Sequence, residues 1–141
     1  MKPILMTIAL LATFSLASKA QILDSTKKAL SDTVIFTVVE KMPEYPGGMN
    51  RFYKYVGKNL RYPAKAIKNE TSGNVQLTFV VEKDGSLTDV RIIKGVSPEI
   101  DAEAIRLIKE CSNWKPGVQS GRTVRVQYGL YILFKLPTTN N

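Results

Sequence analysis

From residue 123 to residue 136 the chain alternates with period two, placing Val124, Val126, Tyr128, Leu130, Ile132, Phe134 and Leu136 on one face of an extended strand. Fourteen residues in that conformation reach ~46 Å. A strand so long and so one-sided needs a sheet beside it and a core beneath it, because its backbone groups must be paired and its apolar face covered. Every other element is therefore to be judged by whether it pairs with this strand or packs against it.

The pairing partner comes earlier. Residues 74–82 (NVQLTFVVE) put Val75, Leu77, Phe79 and Val81 on one face, and Asp84-Gly85 predicts a two-residue type I′ hairpin turn. With Lys83 facing Ser86, Phe79 falls opposite Val90, Leu77 opposite Ile92, Thr78 opposite Arg91 and Val80 opposite Asp89. That pattern belongs to a sheet covered on one side. The cover is a helix over residues 98–111, opened by Ser97 as cap and Pro98 as first residue. Its apolar stripe is Ile100, Ala104, Leu107, Ile108 and Cys111. The expected fold is α+β: an antiparallel β-hairpin plus a long C-terminal strand, with helices packed on one face. Each hairpin arm spans about 27 Å, so part of the long strand runs past its partner or pairs with something else.

Upstream the chain divides by composition. Lys2, an apolar run from Ile4 to Ala17 and Ser18-Lys19-Ala20 read as a cleavable secretory signal peptide over residues 1–20, making the mature protein periplasmic. The alternative is an uncleaved inner-membrane anchor, although a helix of about 15 apolar residues reaches only ~22 Å against ~30 Å of hydrocarbon. Residues 21–32 read as a flexible polar lead. Residues 33–40 (TVIFTVVE) predict a strand, followed to residue 48 by a Pro/Gly corner. A helix from Met49, with Met49, Phe52, Tyr53, Val56 and Leu60 at helical spacing, is broken by Pro63, and a short helix follows from Ala64. The main domain covers residues 49–137. Arg51, Lys54, Lys58, Arg61, Lys65 and Lys68 recur at steps of three and four, forming a basic stripe that is either a solvated face or a landing surface for acidic partners.

The missing chemistry is as informative. There is no histidine, one cysteine and no cluster of carboxylates, so no metal site, no cofactor and no enzymatic activity is expected. Ser25–Lys28 and Ser112–Lys115 match S-x-x-K without the supporting motifs of a penicillin-binding enzyme. Cys111, on an apolar stripe, reads as a small buried hydrophobe, and Trp114 as a residue packed on the sheet. The net charge of +8 falls to +6 if Lys2 and Lys19 leave with the leader (18 basic, 12 acidic). Such a domain favours anionic envelope surfaces, with no nucleic acid expected outside the cytoplasm.

The run YPAKA (62–66), then GNVQLTFVVEKDGSLTDV, IDAEAIRLIKE, WKPG, a Gly-Arg turn and a terminal alternating strand ending in FKL closely resembles the C-terminal domain of TonB energy transducers. VVEKMPEYPGG (38–48) is similar to the extension preceding that domain in Bacteroidetes-type versions. The resemblance implies an exported interaction domain linked to energy transduction for transmembrane transport, its partner being a TonB-dependent outer-membrane receptor whose plug contributes an added strand. It implies a partner-binding set of Asn59, Arg61, Tyr62, Pro63 and Lys65 beside the strand positions Val124, Val126, Tyr128 and Leu130. The family commonly has Gln at the position of Asn59, Arg at that of Lys65 and Pro near that of Tyr131. Neither the membrane anchor nor the Pro-rich spacer of a complete transducer is expected here, so the chain is expected to act as a soluble partner.

The other readings are an envelope-binding or structural module that uses the basic stripe on peptidoglycan or another anionic surface, and a homodimer paired through the long strand. Occupancy of the strand's edge discriminates between receptor binding and envelope binding: if residues 33–40 pair along residues 123–136, a receptor strand cannot add without displacing them.

Overall fold

A computed structural model describes residues 15–111 and 113–138. The leader expected over residues 1–20 lies largely outside them. Helix α1 (Ser15–Thr33) forms a unit by itself. The lead expected over residues 21–32 is helical within it: that stretch contains neither Gly nor Pro and is rich in helix formers such as Lys27, Lys28, Ala29 and Leu30. The Thr26 hydroxyl donates back to the Ile22 carbonyl at 2.7 Å. None of the described helices is long and apolar enough to cross a membrane.

The second unit, residues 35–141, carries the sheet. Its elements are β1 (Ile35–Phe36), α2 (Met49–Asn59), α3 (Ala64–Lys68), β2 (Gly73–Val81), β3 (Leu87–Lys94), α4 (Pro98–Glu110), β4 (Gly117–Gln119) and β5 (Arg122–Phe134). The strand order is β1-β5-β2-β3, with β4 also pairing β5. The long alternating strand is thus β5. It pairs antiparallel with all of β2, from Gly73↔Phe134 to Val81↔Val126, so the hairpin's first arm lies beside it. The burial of β5 alternates as its sequence does, with Val124, Val126, Leu130, Ile132 and Phe134 each at most 5% exposed.

The expected hairpin is present with a different turn. Gly85 N–H donates to the Glu82 carbonyl and Glu82 N–H to that of Ser86, both at 2.9 Å. Gly85 has φ 83°, whereas Asp84 is not among the positive-φ residues, so the loop is a three-residue turn closed by a left-handed glycine rather than type I′. Near the turn Val80 therefore faces Thr88 instead of Asp89. A bulge with Asp89 at φ 48° then restores the expected pairings Thr78↔Arg91 and Leu77↔Ile92, leaving Phe79 opposite the bulge. The turn with two positive-φ residues, as type I′ requires, sits at Ser120 (φ 52°) and Gly121 (φ 73°), joining β5 to β4, a strand that sequence periodicity does not reveal. At Gly85 only glycine fits, for a Cβ there would lie 2.1 Å from the Trp114 carbonyl oxygen.

The strand expected over residues 33–40 shrinks to two residues, paired parallel to β5 as Ile35↔Arg125 and Phe36↔Val126. The chain then changes partner, bridging Lys41 to Val118 and Glu44 to Lys115. Pro43, which has no N–H to donate, stands between those two bridges. Gly48 (φ 84°) opens α2, and Ser97 caps α4 by accepting from the Ile100 N–H at 3.3 Å.

One core lies under one sheet face. Phe52 and Val56 of α2, Ala66 of α3 and Ile100, Ala104, Leu107 and Ile108 of α4 pack on Val75, Leu77, Phe79, Val81, Leu130, Ile132 and Phe134. Trp114, 2% exposed, is its aromatic centre: its ring lies 5.3 Å from those of Phe79 and Tyr128 and 5.7 Å from that of Phe52. Edge-to-face contacts of this kind favour an indole in the interior. Its Nε1–H donates to the buried Cys111 Sγ at 3.4 Å, and burial pushes that thiol's pKa up. The opposite face is not wholly open: Val80 is 2% exposed, with Thr88 and Gln127 as its cross-strand neighbours.

Candidate strand-docking edge

β5 has two edges, and their occupancy differs along its length. Val126 pairs with Val81 of β2 and with Phe36 of β1, so β1 lies on the edge away from β2. Before it, Arg122 to Val124 pair with β4. From Gln127 to Phe134, among the described residues, β2 is the only strand beside β5. That stretch is an open row of backbone donors and acceptors, the template on which another extended chain can add.

Its surroundings are set by α2. Met49 Sδ accepts from the Tyr128 hydroxyl at 3.8 Å. One turn on, the Tyr53 hydroxyl reaches the Tyr131 carbonyl at 3.4 Å, a long bond between exposed groups. Tyr131 and Leu133 are 55% and 59% exposed, and Gln127 and Gly129 between them and β1 are also exposed. The surface of the stretch therefore belongs to the phase opposite that of the core residues.

The strand positions read from the sequence lie in the other phase. Val124, Val126 and Leu130 direct buried side chains into the core and Tyr128 is half-buried, so their side chains are turned away from a partner at the edge. At Val124 and Val126, moreover, β4 and β1 are already paired. Only Tyr128 and Leu130 of the four lie in the open stretch. Gln127, Gly129, Tyr131 and Leu133, which the sequence reading did not single out, are the other phase of the same alternation, and Tyr53 stands beside them.

The remaining five form a segment fastened to α4. The Asn59 carbonyl accepts from Arg106 Nη2 at 2.7 Å and the Arg61 N–H donates to Glu103 Oε1 at 2.7 Å. Arg106 also forks onto Glu103 (2.6 and 2.8 Å). Burial raises the Glu103 pKa, but the Arg106 guanidinium and the Arg61 N–H outweigh it and hold the carboxyl below its ordinary value. Pro63 precedes α3 with an extended backbone, and Lys65 pairs with Glu99 at 2.6 Å. The hydrogen bond to Glu99 raises the Lys65 pKa. Tyr62 reaches β5: its ring meets Phe134 edge-on at 6.0 Å, while its hydroxyl donates to the Thr71 carbonyl at 2.6 Å. The segment thus braces the far end of the open stretch. Among the described residues no group of three or more His, Cys, Asp or Glu side chains could hold a metal ion.

Comparison with known proteins gives the geometry a context. The family model described as Gram-negative bacterial TonB protein C-terminal matches residues 58–136, more than half the chain. Two solution structures of the Helicobacter pylori TonB C-terminal domain are similar in fold. The longer form is 22% identical with a TM-score of 0.52, covering 64% of this chain and 81% of that one. The shorter is 23% identical with a TM-score of 0.50, covering 64% and 95%. No curated protein matches significantly.

Proposed function

The chain belongs to the family of Gram-negative bacterial TonB C-terminal domains, and from that membership we propose that it binds an extended segment of a TonB-dependent outer-membrane receptor by strand addition along Gln127–Phe134. It is an exported, periplasmic interaction module in energy transduction for transmembrane transport, and it carries out no catalysis. The observation that carries this reading is the single strand partner of β5 over those eight residues. An envelope-binding module with its edge closed needs residues 33–40 paired along β5, whereas β1 covers only Arg125 and Val126.

The energetics call for side-chain contacts as well as backbone. About five added backbone bonds at ~1 kcal/mol each contribute about 5 kcal/mol, which only matches the lower estimates of the cost of association. The exposed Tyr131 and Leu133, and Tyr53 alongside, supply apolar surface to the same incoming strand. A mature chain titrated with peptides from the plugs of its own organism's receptors should show amide shifts concentrated at Gln127–Phe134 and α2. Shifts confined to Arg51, Lys54, Lys58 and Lys68, with β5 silent, would instead support docking of an anionic surface on the basic stripe.

A further inference from the structure

We propose that residues 35–39 are a ligand of the docking edge carried by the chain itself, a strand that holds the start of the edge until a partner displaces it. The inference rests on the strand-addition reading and adds the occupant that a receptor segment has to compete with. Three features support it. β1 lies on the same edge and in the same row as the open stretch, ending at Val126 where that stretch begins at Gln127. The segment has strand-forming composition over eight residues, TVIFTVVE, but pairs over two. Its hold is also small: Phe36 and Val39 pack in a satellite cluster with Val124 and Val126, while Ile35 is 39% and Val38 81% exposed.

Continued in its parallel register, the segment would set Thr37 against Gln127 and Val38 against Tyr128. The bridges Lys41↔Val118 and Glu44↔Lys115 keep it from going much further. A partner strand running back over Val126 must therefore displace β1, and one starting at Gln127 meets it end to end. An occupied edge lowers the apparent affinity in proportion to the fraction of molecules in which it is free.

The test uses the full chain and an Ile35→Pro variant, in which β1 loses a backbone donor. The probe is a synthetic peptide of residues 33–40 flanked by lysines for solubility. The variant should speed amide exchange at Arg125 or Val126 while leaving β2 protected, and should bind the peptide three- to tenfold more tightly than wild type with shifts over Arg125–Tyr128. Equal affinity for the two forms, or shifts elsewhere, would overturn the proposal. Should Ile35→Pro fail to fold, Phe36→Ala, which thins the satellite cluster and leaves the backbone intact, serves the same comparison. Receptor-plug peptides separate the two ideas. Binding at Gln127–Phe134 equally in both forms removes the competing strand and keeps the receptor reading; no binding at β5 by plug peptides, with the 33–40 peptide still bound, does the reverse.

Discussion

At the scale of single residues, the structure concentrates its vulnerability around Trp114. Four aromatic rings surround the indole, and Gly85 abuts its backbone. Trp114→Ala should cost about 3–5 kcal/mol, because a fully buried aromatic leaves a cavity that its neighbours cannot fill. Gly85→Ala combines a left-handed backbone with a 2.1 Å clash against a carbonyl, and should lose more than about 1 kcal/mol. Urea titration reads both, and a near-neutral Gly85→Ala would mean that the turn has another conformation available. Tyr131→Lys and Leu133→Lys belong to the opposite category. Their side chains are more than half exposed, so stability should stay within about 0.5 kcal/mol, whereas a charge on an edge strand discourages pairing. Affinity for a receptor-plug peptide should fall several-fold without a change in melting temperature; unaltered affinity would move docking away from this edge.

At the scale of elements, two carboxylates fasten strand to strand and loop to helix, and both have the same pH signature. Arg125 forks onto Glu82 at 2.7 and 3.0 Å, joining β5 to the end of β2. That hydrogen bond, helped by Thr88, holds the Glu82 pKa below its ordinary 4.5. A carboxyl whose pKa is lower in the folded state adds stability that is fully present above 4.5 and lost as pH falls through the folded value. Glu103, held low by Arg106 and the Arg61 N–H, acts in the same direction. Stability measured from pH 7 downward should therefore be flat to about pH 5 and fall below it. Glu82→Gln should lose about 1–3 kcal/mol at pH 7, as expected for hydrogen bonds to a charged partner, and should show a shallower acid limb. An acid limb as steep as in wild type would assign the linkage to other groups. Legibility in the sequence divides along the same line. Elements with sustained periodicity, β2, α4 and β5, were legible, because burying one face imposes a period that composition records. β4 has three residues and β1 two, too few to display any period. The turns eluded the sequence for another reason: positive φ fell on Ser120 and Asp89, where side chains tolerate it only in context, and the Asp84-Gly85 pair closed a three-residue loop instead.

At the scale of the whole molecule, the family was legible in the sequence. The motifs that carry the resemblance are packing motifs: Trp114 is a core residue, and Asn59, Arg61 and Lys65 face α4 through Arg106, Glu103 and Glu99. The proposed docking surface is the alternate phase of β5, which folding constrains little. The division of the chain leads to a last prediction. Every buried apolar residue among those described lies at or beyond Val39, and α1 is a unit of its own. Removing residues 1–33 should therefore leave the thermal midpoint within about 2 °C of that of the longer chain, since a loss of 1 kcal/mol in a domain of this size shifts it by about 4–8 °C. The truncation leaves β1 and its bridges in place, so peptide binding at Gln127–Phe134 should also be unchanged. A fall of more than about 5 °C would show that the segment before β1 contributes to the core. A gain in affinity at constant midpoint would locate the restraint on β1 in that segment, and the edge would then be controlled by how firmly the chain's own strand is tethered.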